Sequence, residues 1–168
     1  PRPPNVKTTQ DEDTAKENVI GIKLHLLINA LGTAGTSVFV ISHDNMGPED
    51  VEWYKVRKLS WSVDQNSYAF LCFCKTKTCN LKFYMDYHSQ VLIPFIETER
   101  AENNLPSDML AWFQLDGEQT QIKCYQDEQL LDELEKHNIA VGKPPASTTE
   151  ITQPCDNGNC FRSCLLYT

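Results

Sequence analysis

The stretch Leu110-Ala111-Trp112-Phe113-Gln114-Leu115-Asp116-Gly117 is an apolar run that closes on an aspartate and a glycine. It reads as a buried strand whose last residue hands the chain to an acid. A second acid, Asp156, stands in the stretch Pro154-Cys155-Asp156-Asn157-Gly158. A carboxylate just past a buried strand is held by that strand while its head still reaches solvent. Two such carboxylates meeting at one sheet edge form a minimal cradle for Mg²⁺ or Mn²⁺, the hard cations that prefer oxygen ligands. The chemistry that uses such a cradle is metal-assisted phosphodiester cleavage, in which the cation clamps the attacking and leaving oxygens. Asp116 and Asp156 are therefore the candidate catalytic and metal-binding residues.

Outward from Asp116, the segment Asp127 to His137 has acids in its first turn and Lys136 and His137 in its last, which suits a helix dipole. Leu130, Leu131 and Leu134 supply its apolar stripe, and Ile139 to Gly142 follows as a short strand. Toward the N-terminus, Asp86 to Arg100 reads as a helix with Val91, Leu92, Phe95 and Ile96 on one side, and with a kink or register break at Pro94. Tyr68 to Cys74 is a compact apolar strand, and residues 43–60 read as a connection with a short helix around Glu49 to Tyr54. Two apolar runs, Val19 to Ala30 and Ser37 to Ser42, flank a Gly-containing turn and predict a hairpin. Residues 1–18 read as a polar arm, 19–162 as the core and 163–168 as a tail. Hairpin, strand, helix, strand, helix, strand is an α/β order, a mixed sheet covered by helices.

The bulk properties bound the possibilities. The chain has 168 residues and 40% apolar content, enough for one domain with a core. No stretch has the length and hydropathy of a membrane span. The formal charge of −8 means that binding to a polyanion needs a local basic patch, a metal, or another part of the protein. Seven cysteines fall into clusters at Cys72, Cys74, Cys79 and at Cys155, Cys160, Cys164, with spacings loose for zinc; they read as reduced intracellular thiols. His25, His43, His88 and His137 share no motif and read as structural or exposed, and Glu118 reads as a solvated neighbour of Asp116. The chain opens on Pro1-Arg2-Pro3-Pro4 and ends soon after Asp156, which suggests a fragment or a processed product.

The stretch from Pro144-Pro145 through Ser147-Thr148-Thr149 and Gln153-Pro154-Cys155-Asp156-Asn157-Gly158 to Phe161 resembles the signature around the third catalytic aspartate of pogo/Tigger-type DDE transposases. Leu115-Asp116-Gly117 is similar to the strand that carries their second aspartate, and 40 residues separate Asp116 from Asp156, an interval that fits the family. Val19 to Ser42, with Asn29-Ala30-Leu31-Gly32 at its turn, resembles the hairpin upstream of both. The resemblance covers residues 18–162. It implies a ribonuclease-H-like fold, a cluster of three acids, Mg²⁺ or Mn²⁺ as cofactor, DNA as partner through a longer parent protein, and endonuclease and strand-transfer activity in the nucleus.

The departures from the family are specific. Its first aspartate lies on an apolar strand before the hairpin, whereas Lys7 to Thr14 is polar and offers only Asp11 and Asp13. The missing strand is expected upstream of Pro1, together with the DNA-binding helix-turn-helix module of such proteins. Cys155 stands where the family has an aliphatic residue. Two further readings remain: a catalytically inactive, transposon-derived binding or structural module, and an unrelated α/β domain in which both aspartates cap turns.

Overall fold

The computed structural model describes residues 22–43, 45–57, 68–75, 79–115 and 118–143. The arm at 1–18, the tail at 163–168 and the acids Asp11, Asp13, Asp116 and Asp156 lie outside the described residues, as do Cys155, Cys160 and Cys164. Within the described residues the chain is α/β, with a mixed four-stranded sheet, a separate parallel pair of strands and helices between them.

Strands β1 (Ile22–His25) and β2 (Val38–Ser42) form the expected antiparallel pair, with Ile22 opposite Ile41 and His25 opposite Val38. The turn between them is built by Asn29, whose Oδ1 accepts from the N–H of Leu31 (3.0 Å) and of Thr33 (2.8 Å). Gly32 takes φ of 88°, a backbone region in which a Cβ would be strained. β2 runs parallel to β4 (Tyr68–Cys74), and β4 pairs antiparallel with β3 (Val51–Arg57), giving the order β1-β2-β4-β3. The expected short helix around Glu49 to Tyr54 is thus strand β3. Its alternation places Val51 and Trp53 toward the core and leaves Glu52 and Tyr54 exposed, a period of two that no helix satisfies.

The helix expected from Asp86 starts earlier. α1 (Leu81–Tyr87) is capped by Asn80, whose side chain accepts from the N–H of Phe83 at 2.8 Å. A π-helical turn, His88–Leu92, follows, and α2 (Ile93–Glu102) continues the same rod. Pro94 has no N–H, and its ring would meet the carbonyl four residues back in a regular helix. The wider π turn just before it, in which the Ile93 N–H bonds to the His88 carbonyl, supplies the register break at that point. At the far end the N–H of Leu105 reaches the Arg100 carbonyl (2.8 Å) and that of Asn104 the Ala101 carbonyl (3.2 Å), with Asn104 at φ 55°. These two bonds make a Schellman stop.

α1 and the π turn pack on one face of the four-stranded sheet. Phe83, fully buried, stacks on Trp53 (5.3 Å between centroids) and on Tyr87 (5.9 Å), while Trp53 meets Phe70 edge-on at 5.6 Å. The same core takes in Leu115, Leu130, Leu134 and Ile139 from the second half of the chain. There, β5 (Ala111–Gln114) and β6 (Ile139–Gly142) pair in parallel, joined through α3 (Gln119–Cys124) and α4 (Glu128–Lys136). Asp127 caps α4 by accepting from the Leu130 N–H at 3.2 Å. Of the expected leucine stripe, Leu130 and Leu134 are buried and Leu131 is exposed, because it faces away from the core by one helical step.

Arg100 connects these halves. Its buried guanidinium donates to the carbonyls of His137 (3.1 Å), Asn138 (3.2 Å) and Met109. Met109 precedes β5 and Asn138 precedes β6, so one side chain ties the end of α2 to the starts of both parallel strands. Arg100→Met should remove three charge-assisted bonds and leave buried carbonyls unpaired, lowering stability by about 2–4 kcal/mol. Lys82→Ala, which breaks the exposed Lys82–Asp86 pair (2.9 Å), should change stability by less than about 1 kcal/mol. Urea unfolding of the two variants measures the contrast, and equal losses would show that the Arg100 contacts are not what joins the halves.

Candidate functional site

The parallel register of β5 and β6 sets where the chain leaves the sheet. Ala111 pairs with Ile139 and Gln114 with Gly142, so the two strands end at the same level. The N–H of Leu115 adds one more bond to the Gly142 carbonyl at 2.8 Å, and Leu115 is buried. Asp116 is the next residue, outside the described set, as is the segment after Lys143 that leads to Asp156. Glycine at 142 answers a close approach: a Cβ there would lie 2.0 Å from Cζ2 of Trp112, whose indole lies across the end of β6.

Beyond Asp116 and Gly117 the chain is described again at Glu118, which departs from the solvated role expected of it. Glu118 Oε2 is bonded by Nζ of Lys23 on β1, and both side chains are about a quarter to a third exposed (24% and 35%). The contact brings the hairpin strand β1 beside the carboxyl end of β5. It escapes sequence reading because the partners are 95 residues apart.

Behind this edge sits a buried aromatic and histidine cluster. His88, expected as structural or exposed, is fully buried, with Nε2 2.6 Å from Oη of Tyr125 and Phe113 edge-on at 6.3 Å. Its Nδ1 has no hydrogen-bond partner among the described residues, and neither has the Oε1 of buried Gln121. Burial pushes the His88 imidazole down to a pKa of about 4, so it is neutral at pH 7. Burial likewise pushes the phenol of Tyr87 up. His25 packs on Phe83 at 5.0 Å, His137 reaches Glu97 at 3.0 Å, and His43 is exposed.

The thiols Cys72 and Cys74 share the inner face of β4 with their sulfurs 3.7 Å apart, and both are buried. Contact with Cys74 and then burial hold Cys72 protonated. Cys79 lies 3.4 Å from Nε2 of His25, and burial pushes its pKa up to about 12. Such thiols are poor nucleophiles. Cys72, Cys74, Cys79 and Cys124 are free cysteines. Among the described residues no group of three or more His, Cys, Asp or Glu side chains is arranged to hold a metal ion. None of their helices is long and apolar enough to cross a membrane.

Comparisons with family models, curated proteins and solved structures find no match to this chain.

The buried imidazole has a consequence for stability. An unfolded-state histidine titrates near 6.5, so between about pH 6.5 and 4 the unfolded chain binds the extra proton. The contribution of neutral His88 is complete above that window and is lost as pH falls through it, by up to about 3 kcal/mol. His88→Gln should therefore flatten the fall in urea midpoint between pH 7 and pH 4.5 relative to the parent chain. Parallel pH profiles for the two proteins would contradict the buried, neutral assignment.

Proposed function

We propose that this chain is the core of a DDE-type, transposon-derived DNA endonuclease with a ribonuclease-H-like fold, and that its Mg²⁺- or Mn²⁺-dependent phosphodiester chemistry belongs to a longer parent. The observation that carries this reading is the parallel pairing of β5 and β6 with level ends. Adjacent strands lie about 4.8 Å apart. The segments bearing Asp116 and Asp156 therefore leave one sheet edge side by side, at the carboxyl ends of parallel strands where α/β folds place their ligands. Asp156 lies 14 residues beyond Gly142, enough chain to bring its carboxylate back to that edge.

Two further features support the proposal. The Lys23–Glu118 pair sets the hairpin beside the Asp116 end of β5. Among the described residues β1 pairs with β2 alone, which leaves its other edge open for a strand preceding the hairpin, where the family carries its first acid. In the proposed site Asp116 and Asp156 hold the cation, which would polarise the scissile phosphate and lower the pKa of an attacking water. Two carboxylates about 4 Å apart repel by roughly 4 kcal/mol at an effective dielectric near 20, so each needs the cation to stay ionised beside the other. DNA affinity at a net charge of −8 must come from elsewhere in the parent.

Local backbone cleavage tests the convergence. Fe²⁺ with ascorbate and peroxide, added to the whole chain, should cut near residues 116 and 156 in the same molecules, and excess Mg²⁺ should suppress both cuts. Cuts at one position only, or scattered cuts insensitive to Mg²⁺, would contradict a shared site. The chain alone should show little or no strand transfer, since two of three acids underbuild a two-metal site. Robust Mg²⁺-dependent cleavage abolished by Asp116→Asn would show that the first acid is not needed from outside.

A further inference from the structure

The four-stranded sheet has two faces, and the helices cover one. Val38, Val40, Phe70, Cys72 and Trp53 point to the helical side and pack into the core. The opposite face carries Ile22, Leu24, Phe39, Leu71, Phe73 and Tyr54, in cross-strand register as Leu24–Phe39–Leu71–Tyr54 and Ile22–Ile41–Phe73. None of these side chains belongs to the core cluster. Ile22 is 64% exposed and Tyr54 50%, and Phe39 and Leu24 are exposed as well. Glu52 is the one charge on this face among the described strand residues.

A sheet with one face in water alternates apolar and polar residues, whereas one that is apolar on both faces is built for two covering layers. A bare patch of this composition is normally an interface. The remaining question is what covers it.

We infer that the segment Cys160-Phe161-Arg162-Ser163-Cys164-Leu165-Leu166-Tyr167 of this same chain packs on the outer face of the sheet. Its Phe161, Cys164 and Leu165 recur at i, i+3 and i+4, the spacing of an amphipathic helical stripe. Eight helical residues span about 12 Å, close to the roughly 15 Å width of four paired strands. The 17 residues between Lys143 and Phe161 can extend about 60 Å, ample to carry the segment around the sheet. Arg162, the one basic residue in the segment, complements Glu52. This inference is independent of the nuclease reading, because it rests on the sheet and on apolar spacing and not on any aspartate.

Cys160 and Cys164 make the test direct. Tyr54→Cys and Leu71→Cys each place a thiol on the outer face. The full-length variants should form an intramolecular disulfide with Cys160 or Cys164 under mild oxidation, identified by peptide mass. A disulfide between two chains would overturn the inference in favour of a second copy as the occupant. Free, fast maleimide labelling of both introduced thiols with no internal bridge would overturn it outright. The unaltered chain supplies a second reading that depends on neither variant. It should bind an apolar dye weakly, and Leu165→Asp/Leu166→Asp should raise that binding several-fold; strong binding by the unaltered chain would count against the segment as the cover.

Discussion

The register of β5 against β6 is the constraint on which the rest depends, and Arg100 holds it. A buried guanidinium is expensive to desolvate, so it persists where it satisfies several acceptors at once. Here those acceptors are backbone carbonyls at the entry of each parallel strand, together with one at the end of α4. Because these are main-chain atoms, the clamp fixes the height of one strand relative to the other more firmly than a side-chain contact would. Every residue that leaves the far end of the pair inherits that alignment.

The helical rod between β4 and β5 transmits the same order to the first sheet. Asn80 starts it, the π turn absorbs Pro94, and the Schellman stop after Glu102 turns the chain toward Met109 and β5. His88 begins the π turn and bonds Tyr125 at the end of α3, linking the rod to the crossover between the parallel strands. Leaving Nδ1 of His88 unpaired opposes folding, since a buried polar atom without a partner costs about 1–3 kcal/mol. The surrounding rings of Tyr84, Tyr87, Phe113 and Tyr125 offset this through packing.

What was legible in the sequence followed local periodicity. β5, α4 and β6 were readable because each has its own pattern: an apolar run closing on Asp-Gly, acids before leucines before Lys136 and His137, then a β-branched stretch ahead of Pro-Pro. The hairpin was readable from Asn29 and Gly32, although its first strand is shorter than the apolar run around it. β3 was missed because Glu52, Lys55 and Arg57 gave it the look of a charged connection, when only alternate residues needed to be apolar. α1 was missed because its contacts are aromatic and its cap, Asn80, follows a cysteine-rich stretch. The Lys23–Glu118 pair and the Arg100 clamp were invisible because each joins residues that only the tertiary fold makes neighbours. Asp116 and Asp156 stand on chemical pattern and on the strand ends from which their segments depart.

These strands make the central claim a geometric one: two carboxylates from segments that leave one sheet edge share a cation. Calorimetric titration of Mn²⁺ into the whole chain and into the Asp116→Asn/Asp156→Asn double variant addresses it most directly. The account predicts saturable binding by the parent chain that is lost in the double variant while its unfolding curve stays unchanged. Equal binding by both proteins, or none by either, would contradict a metal site built from Asp116 and Asp156.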